Sequence, residues 1–233
     1  MKRFLDRLLY PGWSDDWDAR LFRQLVLSRL TPGAEVLDLG AGAGLLSELD
    51  FRGLCRRIVG VDPDPCVRDN PFLDEAVVSS GLPFPEASFD LVLCHNVCEH
   101  LEEPTRTFAE VYRVLRPGGR LLLKTPNRRH YVPLIARLTP HWFHQWVNEL
   151  RGRPARHTYP TFYRANTPSD LRRLCGKAGL ELESLELVEG RPEYLRMTPF
   201  TYLVGWLYER LVNSIPALKG FRVVLLATCR RPP

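Results

Sequence analysis

The chain has no Cys-x-x-Cys pair among its six cysteines, Cys55, Cys66, Cys94, Cys98, Cys175 and Cys229. That absence removes the usual zinc-ribbon and dithiol spacings. Several of the cysteines sit in apolar surroundings, which suits reduced, buried thiols in a cytoplasmic protein. Nor is there a stretch of the ~18 consecutive apolar residues that a membrane span requires. Met1 to Leu9 is basic and amphipathic, but too short and too charged to read as a secretory leader. There is no internal repeat, no low-complexity tract and no long basic tail. The formal net charge of +5 is spread along the chain, with short clusters at Arg56-Arg57, Arg128 to His130 and Arg151 to Arg156. Such a balance is weak support for a nucleic-acid partner. What remains is ordinary for a globular protein: 233 residues, 45% apolar and 25% charged. The length fits one α/β domain with insertions, spanning 1–233.

Periodicity orders the chain. Residues 1–30 read as helical, with Leu21, Phe22, Leu25, Val26 and Leu30 at helical spacing until Thr31-Pro32-Gly33 intervenes. Short apolar strands are expected at Val36–Leu39, Arg57–Asp62, Val77–Val78, Phe89–Cys94 and Arg120–Lys124. Leu180–Val188 and Phe221–Thr228 add two more. Helices are expected over Leu45–Leu54, Thr105–Leu115 and Pro168–Ala178, the last ended by Gly179. Pro117-Gly118-Gly119 reads as a turn. Three prolines between Asp62 and Val77 argue against a full helix there. Strands alternating with helices imply a mainly parallel, doubly wound sheet.

The chemistry gathers where the first strand meets Gly40-Ala41-Gly42-Ala43-Gly44. Glycines permit tight turns and close approach of a ligand. A helix opening after them would offer unpaired N–H groups to a carboxylate or phosphate. Asp62 ends the second strand roughly 20 residues on, where a carboxylate can accept both hydroxyls of a ribose. The loop is G-x-G-x-G rather than the nicotinamide pattern G-x-G-x-x-G/A. Asp38, two residues before the first glycine, is placed to meet a cationic group.

Five motifs in order carry a resemblance: Val36 to Gly44, Val59-Gly60-Val61-Asp62, Leu82-Pro83-Phe84 through Ser88-Phe89-Asp90, Glu99-His100-Leu101, and Leu115-Arg116-Pro117-Gly118-Gly119. Together they resemble class I S-adenosylmethionine-dependent methyltransferases, of the branch similar to ubiquinone and menaquinone biosynthesis enzymes. The resemblance covers about residues 30–127, taken as the cofactor-binding half. It implies a Rossmann-like seven-stranded sheet with an antiparallel last strand, and S-adenosylmethionine as cofactor. It implies that Gly40, Ala41, Gly42 and Gly44 wrap the methionine part while Asp38 holds its amino group. Asp62 would bind the ribose, Pro63 would lie on the adenine, and Cys94 and His95 would line the sulfonium end. In one place the chain departs from the pattern. Val78 stands where the family usually has an acid for the adenine, which leaves that recognition to Ser79, Ser80 and backbone groups.

On the acceptor side, residues 126–167 and 190–220 are long connections rich in aromatic and basic side chains. If the last strand is antiparallel, both emerge at the sheet edge where ligands bind. They are expected to build a pocket for a small-molecule substrate that is aromatic, quinone-like or lipid-linked. The stretch 199–208 is a candidate for peripheral membrane contact. His95 and His100 are the candidate bases. His141 and His144 have a ligand-like spacing, but no other donors accompany them, so no metal is expected. A nucleic-acid or protein methyltransferase, or a binding module whose catalysis has lapsed, are the competing readings. The oligomeric state is not encoded legibly.

Overall fold

Each central strand buries both of its faces, so successive residues point into different cores. Val36, Ile58, Leu91, Leu93 and Leu122 face one cluster, while Leu37, Val59, Val92, Leu121 and Leu123 face the other. This is why the strands read as unbroken apolar runs rather than alternating ones. The computed structural model describes residues 2–138 and 159–233. Its seven strands are β1 (Glu35–Leu39), β2 (Arg57–Asp62), β3 (Glu75–Val78), β4 (Phe89–His95), β5 (Leu115–Pro126), β6 (Glu181–Val188) and β7 (Val224–Arg230). They form one sheet in the order β3-β2-β1-β4-β5-β7-β6. β7 runs antiparallel to both neighbours, and the other pairings are parallel.

The helices are α1 (Lys2–Leu9), α2 (Trp17–Leu27), α3 (Pro104–Val114), α4 (Tyr131–Leu138), α5 (Pro168–Ala178) and α6 (Pro199–Ser214). Phe22 and Val26 of α2 cover one face of the sheet. Phe108, Val111 and Val114 of α3, with Leu171 and Leu174 of α5, cover the other. Thr167 caps α5 by accepting from the Asp170 N–H at 3.1 Å, and Gly179 ends it at φ 82°. Among the described residues, no helix is long and apolar enough to cross a membrane.

Three expectations are corrected. The helical stretch 1–30 is two helices, broken at Pro11 and at Gly12, whose φ is 77°. Pro117-Gly118-Gly119 is not a separate turn but an irregularity inside β5. There the register with β4 shifts between Phe89 and Leu91, and Gly118 N–H donates to Arg231 O at 2.9 Å. The third correction matters most for function. No α-helix follows the glycine loop, only the single 3-10 turn Ser47–Leu49. Phe51 is drawn into the core beneath α2 instead. Arg23 of α2 donates to Glu48 O at 2.8 Å and Asp50 O at 2.7 Å, satisfying the carbonyls that helix bonds would have used. A segment this short has little intrinsic helicity with which to resist that tertiary pull.

Candidate active site at the strand ends

The loop after β1 owes its shape to its glycines. Gly40 and Gly44 hold φ of 71° and 67°. A Cβ on Gly40 would lie 2.4 Å from Val97, and one on Gly44 would lie 2.2 Å from Asn70 Oδ1. Gly40 N–H donates to Val61 O at 2.8 Å, pinning the loop to the end of β2. Asn70 does what no motif announces. Its Nδ2 donates to Ala41 O at 2.9 Å and Gly42 O at 3.2 Å, and its Oδ1 accepts from Phe72 N–H at 2.9 Å. Only the spacing of a lone Asn after the Pro65–Asp69 turn pointed there, and that is too weak a signal to read.

Asp62 holds the far wall. Its Oδ2 accepts from Gly42 N–H at 3.0 Å and its Oδ1 from Asp64 N–H at 2.8 Å. Each oxygen keeps lone-pair capacity for a further donor. Asp38 is buried at the base of the loop, on the α2 side of the sheet. Burial, and then the facing Asp62 carboxylate, push its carboxyl up to about 7. Among the described residues, no donor or cation meets it. Pro63 and Ser80 are exposed and Ser79 half-buried at the same rim. Ser79 N–H donates to Asp62 O at 2.9 Å, and its hydroxyl accepts from Gly81 N–H at 3.1 Å. Val78 is the register partner of Asp62 at the end of β3.

The two histidines part company. His95 ends β4 beside Lys124, its register partner on β5. Lys124 is fully buried, pairs with Asp18 of α2, and lies 3.2 Å from His95 Nε2. An ammonium only donates, so this nitrogen is the acceptor and is already occupied. Burial, together with the neighbouring ammonium, lowers His95 to about 3. His95 is therefore a neutral, engaged ring packed against Phe22. His100 ends the short turn Cys98–His100 and has its Nδ1 2.7 Å from Pro160 O. A carbonyl only accepts, so Nδ1 is the donor, and in the neutral ring Nε2 is the acceptor. Cys94 is buried with its sulfur 3.6 Å from Cys98 in the core under α3, so only its backbone reaches the strand end.

A family model described as a methyltransferase domain matches residues 15–185. The chain belongs to this methyltransferase family. A Mycolicibacterium smegmatis protein named "probable S-adenosylmethionine-dependent methyltransferase" is 36% identical over 137 residues, covering 53% of this chain but only 51% of that protein. The ubiquinone biosynthesis O-methyltransferase of Burkholderia pseudomallei is 28% identical, covering 88% of this chain and 94% of that protein. The crystal structure of a candidate methyltransferase from Bacillus halodurans superposes with a TM-score of 0.58 at 19% identity. It covers 93% of this chain and 99% of that one, a likeness of fold alone.

S-adenosylmethionine is the cofactor of such a methyltransferase. The residues present fit it. Among the described residues, nothing stands within 4 Å of where a Cβ on Gly42 would lie, so the loop leaves open space at its centre. A carboxyl without a counter-charge at the base of the loop suits an ammonium. A carboxylate with spare acceptor capacity at the rim suits a sugar diol.

The end of the long connection after β5 packs over the same rim through residues that the sequence marked only in bulk. Phe162 N–H donates to Glu99 O at 2.7 Å, and Arg164 to Glu102 O at 2.6 Å. Tyr159 Oη donates to Asp64 Oδ2 at 2.6 Å and its ring meets His100 edge-on, at 5.9 Å between centroids. The end of the long connection thus reaches over the rim near Asp62. Beneath it lies a buried knot in which Glu99 of the fourth motif meets two residues no motif marked, Thr125 and Asn166. Glu99 Oε2 accepts from Thr125 Oγ1 at 3.0 Å, and Asn166 Nδ2 donates to Thr125 Oγ1 at 2.7 Å. The expected pocket residues His141, Trp142, Phe143, His144, Trp146, Arg151, Arg153, Arg156 and His157 lie outside the described residues.

Proposed function

We propose that this methyltransferase transfers the methyl group of S-adenosylmethionine to a protonated oxygen of a small, largely apolar acceptor, with His100 receiving the proton. The observation that carries the reading is the His100 ring. A backbone carbonyl fixes the tautomer of the neutral ring, leaving Nε2 as an acceptor with no partner among the described residues. His95 is a poor base because Lys124 already occupies its lone pair. Its role in this reading is to pack the floor beside α2.

The cofactor supplies an activated methyl group on a cationic sulfur. The chain's own part is to hold, orient and exclude water. Gly40, Ala41, Gly42 and Gly44 would cradle the amino-acid end, with Asp38 ionising against its ammonium. Asp62 would accept the ribose hydroxyls. Pro63, Ser79 and Ser80 would flank the base, with Val78 leaving the adenine amino group to backbone partners. The backbone of Cys94 would border the sulfonium end. Positioning of two reactants can supply roughly 7–11 kcal/mol of a barrier. General base catalysis adds about 10²–10⁴-fold where the nucleophile must lose a proton. Support for an oxygen acceptor also comes from a relative named as an O-methyltransferase.

The test pairs two measurements. Calorimetry should show S-adenosylmethionine binding equally to the parent and to His100→Gln. Radiolabelled methyl transfer into fractionated cell extract should label the lipid-soluble fraction, and fall at least tenfold in the variant. Label in RNA or protein, or full turnover by the variant, would refute the reading. Failure to bind S-adenosylmethionine would leave a binding module.

A further inference from the structure

α6 is built inside out. Its inward face carries Tyr202, Gly205, Glu209 and Val212, all buried. Glu209 is held there by Tyr10 Oη at 3.1 Å and Asn213 Nδ2 at 2.6 Å. Tyr202 Oη donates to Asp6 at 2.8 Å. The outward face is Phe200, Leu203, Val204, Leu207 and Leu211, at 75%, 49%, 47%, 53% and 42% exposure. Turning the acid inward and the aliphatics outward costs hydration, and a surface helix ordinarily does the reverse. The only charged outward side chain of α6 is Arg210, a cation stacked on Trp206 and Tyr10.

We propose that this face of α6 docks on the surface of a lipid bilayer, lying in the plane of the membrane. Three observations on the molecule select that occupant. An in-plane amphipathic helix needs a continuous exposed apolar face free of acids; Phe200, Leu203, Val204, Leu207 and Leu211 form such a face, with Arg210 at its edge pairing at 3.3 Å with the inward-turned Glu209. A second copy of this chain is a poor occupant. A helix of 16 residues is about 24 Å long and 10 Å wide, which offers roughly 240 Å² against the ~800 Å² per partner of a stable dimer. A bilayer demands no such shape-matched area. Finally, α6 joins β6 to the antiparallel β7, so it sits at the same edge of the sheet as the ends of β1, β2 and β4. Docking through α6 therefore brings the glycine loop and His100 edge towards the lipid. The docking goes beyond the methyl-transfer reading and does not require any particular acceptor.

The probe is unilamellar phosphatidylcholine vesicles containing about a quarter phosphatidylglycerol, in a flotation assay with the whole chain. The parent protein should float with the vesicles. Leu203→Asp combined with Leu207→Asp should reduce the bound fraction at least about tenfold. Both residues are about half-exposed, so the variant should keep the parent's circular dichroism melt and its S-adenosylmethionine affinity. A Leu27→Asp control, at an exposed leucine of α2 rather than α6, should float like the parent. A parent that stays in the aqueous fraction overturns the proposal, as does a double variant that floats unchanged. Light scattering that shows a parent dimer broken by the double variant would overturn it too, and assign the face to a second copy.

Discussion

Replacing Asp38 by asparagine should make the cofactor-free protein more stable and the cofactor weaker, with opposite signs from one substitution. Burial and the facing Asp62 carboxylate move Asp38 from its ordinary 3.8 to about 7. As pH rises from about 4, the unfolded chain releases this proton first, while the folded chain keeps it until about 7. The folded state binds more protons in that window, so stability falls with rising pH and levels off above 7. At roughly 1.4 kcal/mol per pH unit, the whole effect is at most ~4 kcal/mol. An asparagine amide cannot ionise, so Asp38→Asn should remove this slope. At pH 8 the variant should melt higher than the parent by up to roughly 8–16 °C, at about 2–4 °C per kcal/mol for a chain of this size. S-adenosylmethionine should behave the other way. If its ammonium sits on ionised Asp38, the parent must shed a proton to bind it below pH 7. Calorimetry in buffers of different ionisation heat would count that proton. A charge-assisted hydrogen bond is worth about 1.5–3 kcal/mol, so the variant should bind ten- to hundredfold more weakly and release no proton. A variant with the parent's pH–stability profile and undiminished affinity would refute both the buried carboxyl and its assigned role.

Asn70→Ala removes the brace on Ala41 O and Gly42 O and should cost about 1–3 kcal/mol in denaturant melts, with a matching loss of cofactor affinity. Gly44→Ala forces a Cβ against Asn70 at positive φ and should weaken cofactor binding in calorimetry at least about tenfold. Asp18→Asn leaves the buried Lys124 ammonium without its carboxylate and should destabilise the fold by roughly 1–3 kcal/mol, since Asp18 itself is partly exposed. Leu37→Ala empties a fully buried site between the sheet and α3 and should cost about 2–5 kcal/mol of stability without changing the cofactor proton count.

The sequence by itself determined the strand set, because each strand buried on two faces must be an apolar run, and each run is bounded by glycine, proline or charge. It also determined the fold family. Motifs such as Val36 to Gly44 and Glu99-His100-Leu101 are contiguous, so their meaning survives without coordinates. Asp62 was legible for the same reason, as an acid at the end of a strand at a set distance from a glycine loop. What only the tertiary structure decided was every feature that depends on a partner far along the chain. The helix expected over 45–54 yields to Arg23 and to the pull of Phe51 into the core, since a local preference worth tenths of a kcal/mol per residue loses to burial and two long-range hydrogen bonds. The two candidate bases look alike in sequence. They separate only because Lys124 reaches His95 and Pro160 reaches His100. Asn70 becomes a brace, and α6 is seen to be inverted, only when their neighbours are in place. A residue's type and local spacing fix what it can do, while its hydrogen-bond partners and burial fix what it does.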